Sequence, residues 1–307
     1  MILNILFIVI GIVLVLWGAD RLTDGAVAVA EKMKMPQIVI GLTIVAMGTS
    51  MPEFCVSLIS ALKGTSDLAV GNIVGSNIFN TLLIVGVSAL VAPMSIMKTT
   101  VRKDIPFALV ASALLLIMCL DADISRIDAA ILFVMFLIFM YITLRGAKVQ
   151  GTDVEEKEKK PMATWLSVVW ILVGLACLIG GSNLFVDGAT AVATKLGVSE
   201  AVIGLTIVAG GTSLPELATS VVSARKGNSG IAIGNVLGSN VFNVLAILGL
   251  TGVISPMTLK GITMTDLSMM VISIILIWLF SFTKYKIERW EGAILTAVFV
   301  GYIYSLL

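Results

Sequence analysis

The sequence predicts an all-α integral membrane protein of about ten transmembrane helices, arranged as two five-helix repeats of inverted topology. Three observations predict it. Hydrophobic residues make up 58% of the 307-residue chain and charged residues only 13%, with a mean hydropathy of +1.08. That much apolar surface suits a lipid environment better than a soluble core. The chain also repeats itself at an offset of 163: VIGLTIVAMGTSMPE (Val39 to Glu53) returns as VIGLTIVAGGTSLPE (Val202 to Glu216), differing at two of fifteen positions. The same offset carries GNIVGSNIFN (Gly71 to Asn80) onto GNVLGSNVFN (Gly234 to Asn243), and Gly18, Asp24, Gly25, Pro93 and Arg126 onto Gly181, Asp187, Gly188, Pro256 and Arg289. Finally, lysine and arginine gather in alternate loops.

Apolar runs of about 17–25 residues can each span a bilayer. The first, at 2–20, lacks a basic leader and a small-residue cleavage site, so it reads as a retained helix. The second, 38–62, carries the first motif and Pro52; the third, 69–92, carries GNIVGSNIFN. The fourth and fifth, 104–120 and 127–145, flank a short loop whose Asp121, Asp123 and Asp128 read as solvated. Gly151 to Lys160 (GTDVEEKEKK) is the obvious linker, which divides the chain into a first repeat at 1–146, a linker at 147–161 and a second repeat at 162–307. The second repeat places its helices at 162–182, 201–225, 232–255, 265–281 and 290–306.

An odd number of spans per repeat forces two tandem copies to enter the membrane in opposite orientations. Charge agrees. Fifteen lysines and arginines fall in odd-numbered loops and the linker, against Lys63, Arg126, Lys195 and Lys260 in even-numbered loops. Basic loops stay cytoplasmic, which predicts a cell membrane with both termini outside and the linker inside.

Composition also excludes. There is no histidine, hence no Ser-His catalytic pair and no HExxH zinc site. No GxGD motif supports an intramembrane aspartyl enzyme, so the chain reads as a non-enzyme needing no cofactor. Cys55, Cys119 and Cys177 are dispersed without metal-type spacing. A net charge of +1 gives no footprint for nucleic acid. Membrane lipid is the implied environment, and no obligate protein partner is evident.

Glu53 and Glu216 each lie in apolar sequence. An ionised carboxylate at bilayer depth costs several kcal/mol unless partnered, on the order of insertion estimates. Neither motif holds a lysine or arginine, which leaves a bound cation or a proton as the partner. Pro52 and Pro215 lack an N–H, so the carbonyls of Gly48 and Gly211 lose their helical donor. The break exposes backbone oxygen beside Thr49, Ser50 and Glu53, and beside Thr212, Ser213 and Glu216. In the second motif Asn72, Ser76 and Asn80 fall at i, i+4 and i+8 on one helix stripe, as do Asn235, Ser239 and Asn243. Asn77 and Asn240 lie off it and read as interhelical hydrogen-bond residues. The donors are all oxygen, which suits calcium, magnesium or sodium rather than zinc or copper. Two carboxylates match one divalent or two monovalent ions, and ions competing for the same oxygens exchange. A channel would instead pass ions without a counter-ion.

With these residues in view, GTSMPE and GNIVGSNIFN, repeated as GTSLPE and GNVLGSNVFN, resemble the alpha repeats of the sodium/calcium exchanger family of cation/calcium antiporters. The resemblance covers essentially the whole chain. It implies residence in the cell (inner) membrane of a prokaryote, ten helices, termini outside, and a central site between the second, third, seventh and eighth. It further implies ion ligation by Thr49, Ser50, Glu53, Ser76 and Asn80, by Thr212, Ser213, Glu216, Ser239 and Asn243, and by the backbone oxygens of Ala46 and Ala209. The transported ions would be sodium and calcium, with the first and sixth helices sliding to switch access. Family members often carry an aspartate at one of the positions of Asn80 and Asn243; here both are asparagine. Proton-coupled calcium or broader divalent exchange is the alternative. The distant proton/calcium exchangers have a glutamate soon after the GN pair, which GNIVGSN and GNVLGSN lack.

Overall fold

A computed structural model describes residues 2–149, 162–197 and 209–306. The chain is helical in the order foreseen. Helix α1 is Ile2–Met33, and α2 is broken into Gln37–Thr49 and Met51–Leu62. There follow α3 (Ser66–Val91), α4 (Thr100–Asp121) and α5 (Arg126–Val149). The second half gives α6 (Thr164–Lys195), α7 in two pieces (Ala209–Thr212 and Leu214–Arg225), α8 (Ser229–Ile254), α9 (Met264–Ser281) and α10 (Arg289–Leu306). Among the described residues seven helices are long and apolar enough to cross a membrane, and bent α2 makes an eighth. The expected start of α7 at 201, and most of the linker, lie outside the described residues. Helix α10 opens on Arg289, Trp290 and Glu291, which lowers its average apolarity.

The two longest helices overrun their expected ends at 20 and 182. Polar residues at Asp20, Arg21 and Asp24 look like a terminus, yet α1 carries on through Ala26, Ala28 and Ala30, all buried. Asp20 and Asp24 instead hold Lys226 Nζ at the end of α7, at 2.5 and 2.8 Å. Asp24 is thus an ion-pair partner inside a helix, whereas Asp187 is exposed. In the α4–α5 loop, Asp128 accepts from Ser125 N and Oγ at 3.0 and 2.7 Å, which caps α5.

Helices α1 and α6 pack antiparallel along a glycine seam. Gly11, Gly18 and Gly25 recur every seven residues, and Gly174, Gly181 and Gly188 answer them. A Cβ on Gly18 would meet the Gly174 carbonyl oxygen at 2.7 Å, and one on Gly181 would meet that of Gly11 at 2.8 Å. The backbones therefore touch directly, with no side chains interlocked between them.

Two short ribbons reveal the symmetry. Strand β1 (Met94–Ser95) pairs with β4 (Lys286–Ile287), and β2 (Asp123–Ile124) pairs with β3 (Met257–Thr258), both antiparallel. Adding 163 to Met94 and Ile124 gives Met257 and Ile287, so the pairs Met94–Ile287 and Ile124–Met257 interchange under the repeat. One ribbon precedes α4 and the other follows it. The operation relating the halves thus swaps the two ends of the bundle, as inversion requires. Helix α8 is buried along a full 18-residue stretch (100%), against 17% for α5, so the middle of the bundle lies at α8 and the lipid face at helices such as α5.

Candidate ion-binding site

The break in α2 falls at Ser50, whose φ and ψ of −82° and 9° leave the α region, and Pro52 then sits in the first turn of the next piece. The two pieces meet at 48°. Ser213 repeats the break with φ −89° and ψ 5°. The freed carbonyl of Gly211, four residues before Pro215, accepts from the Ser182 hydroxyl of α6. Ala46 is buried, and its carbonyl accepts from Ser50 N at 3.0 Å and lies 3.3 Å from Thr49 Oγ1. Ala209 opens the first piece of α7.

Both carboxylates are enclosed, each 1% exposed. Their hydrogen bonds cross between the halves. Ser50 Oγ donates to Glu216 Oε1 at 3.1 Å, and Ser213 Oγ donates to Glu53 Oε1 at 3.2 Å. Ser213 Oγ also lies 3.3 Å from Ser76 Oγ on α3. Thr212 reaches Glu53 as well, and Thr49 donates to Asn235 Oδ1 at 3.0 Å. Among the described residues no lysine or arginine pairs with either.

The stripe of amides divides into two roles. Asn72 Nδ2 donates to the Glu53 carbonyl (3.2 Å) and Ser57 Oγ (3.0 Å); Asn235 Nδ2 donates to the Glu216 carbonyl (3.3 Å) and Ser220 Oγ (3.0 Å). These two fasten the backbone that carries each glutamate. Farther along, Asn80 and Asn243 sit in π-helical turns at Phe79–Ile84 and Phe242–Ile247, which are related by the same offset. A π turn widens the helix by one residue and commonly marks a functional site. Ser239 is fully buried beside them, and Ser76 is 5% exposed.

What remains is a set of oxygens without donors. Twelve buried side-chain atoms find no hydrogen-bond partner among the described residues, and five of them belong to the repeated motifs: Glu53 Oε2, Glu216 Oε2, Asn80 Oδ1, Asn243 Oδ1 and Ser239 Oγ. Buried polar atoms are ordinarily paired. Five orphans drawn from two matching motifs, two of them carboxylate oxygens, can together present negative and dipolar charge to a cation. Among the described residues no group of three or more His, Cys, Asp or Glu could hold a metal, in keeping with a site of mixed oxygens.

Several contributors escaped sequence reasoning. Ser57 and Ser220 do repeat at the offset, a signal that could have found them. Ser182 does not repeat, since its counterpart is Ala19, and neither does Thr81, whose counterpart is Val244. The glycines of GNVLGSN are packing residues: a Cβ on Gly234 would meet the Ile38 carbonyl oxygen at 2.6 Å, and one on Gly238 that of Leu42 at 2.6 Å.

The family of sodium/calcium exchanger proteins matches residues 3–145 and 166–307. Inner membrane protein YrbG of Escherichia coli is 37% identical over 100% of this chain and 97% of its own length. Sodium/calcium exchanger MaX1 of Methanosarcina acetivorans is 32% identical over 99% of this chain and 98% of its own. Among solved structures, the sodium-calcium exchanger NCX_Mj soaked with zero Na+ and Ca2+ superimposes with a TM-score of 0.88 at 30% identity, covering 100% of this chain and 99% of that one.

Proposed function

Since this chain belongs to the sodium/calcium exchanger family, and is therefore a membrane transporter for cation/calcium antiport rather than an enzyme, we propose that it exchanges sodium for calcium by alternating access at one central site. Glu53 and Glu216 supply the charge. Thr49, Ser50, Ser76 and Asn80, with Thr212, Ser213, Ser239 and Asn243, supply or orient neutral oxygens. The backbone oxygens of Ala46 and Ala209 complete the set. The observation that carries this reading is the set of five buried oxygens of the repeated motifs that find no partner among the described residues, one on each of the two crossed carboxylates.

Charge arithmetic then favours exchange. Two carboxylates balance one calcium or two sodium ions, and either load removes the cost of two unpartnered charges in a low-dielectric interior. The empty site is the expensive one, so a carrier of this kind crosses between access states loaded. Calcium is favoured over magnesium because a many-oxygen, adaptable site suits it, while magnesium gives up its waters reluctantly. The structural basis for switching is the α1–α6 pair. Its seam is backbone on backbone, and it meets α7 through the Lys226 cluster, the buried Thr23–Ser223 hydroxyl pair at 2.9 Å and the Ser182 bond to the Gly211 carbonyl. The crossed bonds Ser50–Glu216 and Ser213–Glu53 are buried and hold the core as one body. Basic residues in the odd-numbered loops support an orientation with both termini outside and the linker cytoplasmic.

The test is calcium uptake into liposomes loaded with sodium and diluted into sodium-free buffer. Uptake should require the sodium gradient and vanish in the Glu53→Gln, Glu216→Gln double variant. Uptake indifferent to sodium but driven by an imposed pH gradient would overturn sodium coupling in favour of protons.

A further inference from the structure

Four asparagines and one threonine, each no more than 2% exposed, form two hydrogen-bonded relays across the join of the repeats. In the first, Thr81 Oγ1 donates to the Asn77 carbonyl at 2.6 Å. Its one proton is thereby spent, so its oxygen accepts, and Asn240 Nδ2 donates to it at 2.7 Å. That turns Asn240 Oδ1 toward Asn80, whose Nδ2 donates to it at 3.2 Å. The amide of Asn80 is now fixed in orientation, and its Oδ1 is one of the orphans. In the second relay Asn77 Nδ2 donates to the Asn240 carbonyl at 3.2 Å. Asn77 Oδ1 therefore faces the other way and accepts from Asn243 Nδ2 at 3.0 Å. Asn243 Oδ1 is left bare in turn. The second relay starts with an amide on a backbone carbonyl, which can only accept, and so has one possible polarity; the first takes its polarity from the 2.6 Å bond that Thr81 gives the Asn77 carbonyl.

We propose that Asn77 and Asn240 are positioning residues that force the amides of Asn243 and Asn80 to present oxygen, not N–H, to the transported cation. The proposal rests on the reading of Asn80 and Asn243 as ion ligands. An asparagine side chain is nearly symmetric in shape but not in charge. Turned over, it would set two N–H donors against a cation. An aspartate at the same position has two equivalent oxygens and needs no such control. With asparagine at both positions this chain carries the requirement twice, and it carries one device for each. The control is crossed: Asn240 governs Asn80, and Asn77 governs Asn243.

The experiment is a set of double-mutant cycles on the full chain in liposomes, read as the calcium KM of sodium-driven uptake, normalised to reconstituted protein. Asn240→Ala should raise the calcium KM about ten-fold in the native background, within the range of coupled neighbours. In the Asn80→Asp background the same change should do almost nothing. Likewise Asn77→Ala should be rescued by Asn243→Asp and not by Asn80→Asp. Where the alanine variants fail to give monodisperse protein, Asn240→Leu and Asn77→Leu fill the same volume, and calcium binding is read by titration calorimetry in detergent. Equal cost of Asn240→Ala in both backgrounds, or rescue by either aspartate alike, overturns the proposal. Should Asn80→Asp and Asn243→Asp alone leave the calcium dependence unmoved, it is the ligand reading itself that fails.

Discussion

Replacing one carboxylate should separate calcium from sodium at this site. In Glu53→Gln the Ser213 hydroxyl still needs an acceptor where Oε1 stands, 3.2 Å away, so the amide oxygen takes that place. The NH2 group then falls where the orphan Oε2 was, and a donor faces the ion. Calcium keeps only one carboxylate, leaving a net buried charge. Removing one partner of a buried charge pair costs about 3–5 kcal/mol, which is roughly 150- to 4,000-fold in affinity. A single sodium ion is still balanced by Glu216, so sodium binding should fall far less. The crossed, offset-related geometry predicts the same outcome for Glu216→Gln, whose Oε1 accepts from Ser50 at 3.1 Å. Titration calorimetry in detergent with calcium and with sodium would measure both affinities for each variant. Calcium affinity within ten-fold of the parent in either variant, or equal losses for the two ions, would refute the reasoning.

Other consequences are smaller. Ser182→Ala leaves the Gly211 carbonyl without its donor, which should cost about 1–3 kcal/mol and lower Tm in detergent by several degrees. Gly18→Ala drives a Cβ to 2.9 Å from the Cβ of Cys177 and 2.7 Å from the Gly174 carbonyl oxygen. Overpacking of that kind costs about 1–3 kcal/mol; it should prise the seam apart and speed thiol labelling of Cys177 in a Cys55→Ser background. Gly180→Ala, where a Cβ meets nothing within 4 Å among the described residues, should leave labelling unchanged. Lys226→Met removes an ion-pair tie from α7 to Asp20 and Asp24; the lysine side chain is 28% exposed and the aspartates 32% and 35%. Screening limits its effect to about 1 kcal/mol, or about five-fold faster hydrogen exchange through residues 18–26.

Much of this molecule was legible because the information is written twice. The offset of 163 located both proline breaks, both glutamates and both amide stripes, and the odd number of spans per copy required inversion, which the exchange of ribbons β1–β4 and β2–β3 displays. Two kinds of feature stayed hidden. One is partnership at a distance: Asp20 and Asp24 looked like a helix end because, beyond the adjacent Arg21 that pairs with both, nothing local shows that Lys226, some 200 residues on, also pairs with them. The other is departure from the repeat. Thr81 and Val244 occupy equivalent positions, yet only Thr81 has a hydroxyl to pass polarity from the Asn77 carbonyl to Asn240. In the other half Asn77 reaches the Asn240 carbonyl directly. Two unlike routes arrive at the same end, a bare amide oxygen on each side. Symmetry of the backbone therefore does not by itself deliver symmetry of the site. It takes an extra hydroxyl on one side to restore it, and a periodic reading of sequence passes over such a residue because it fails to repeat.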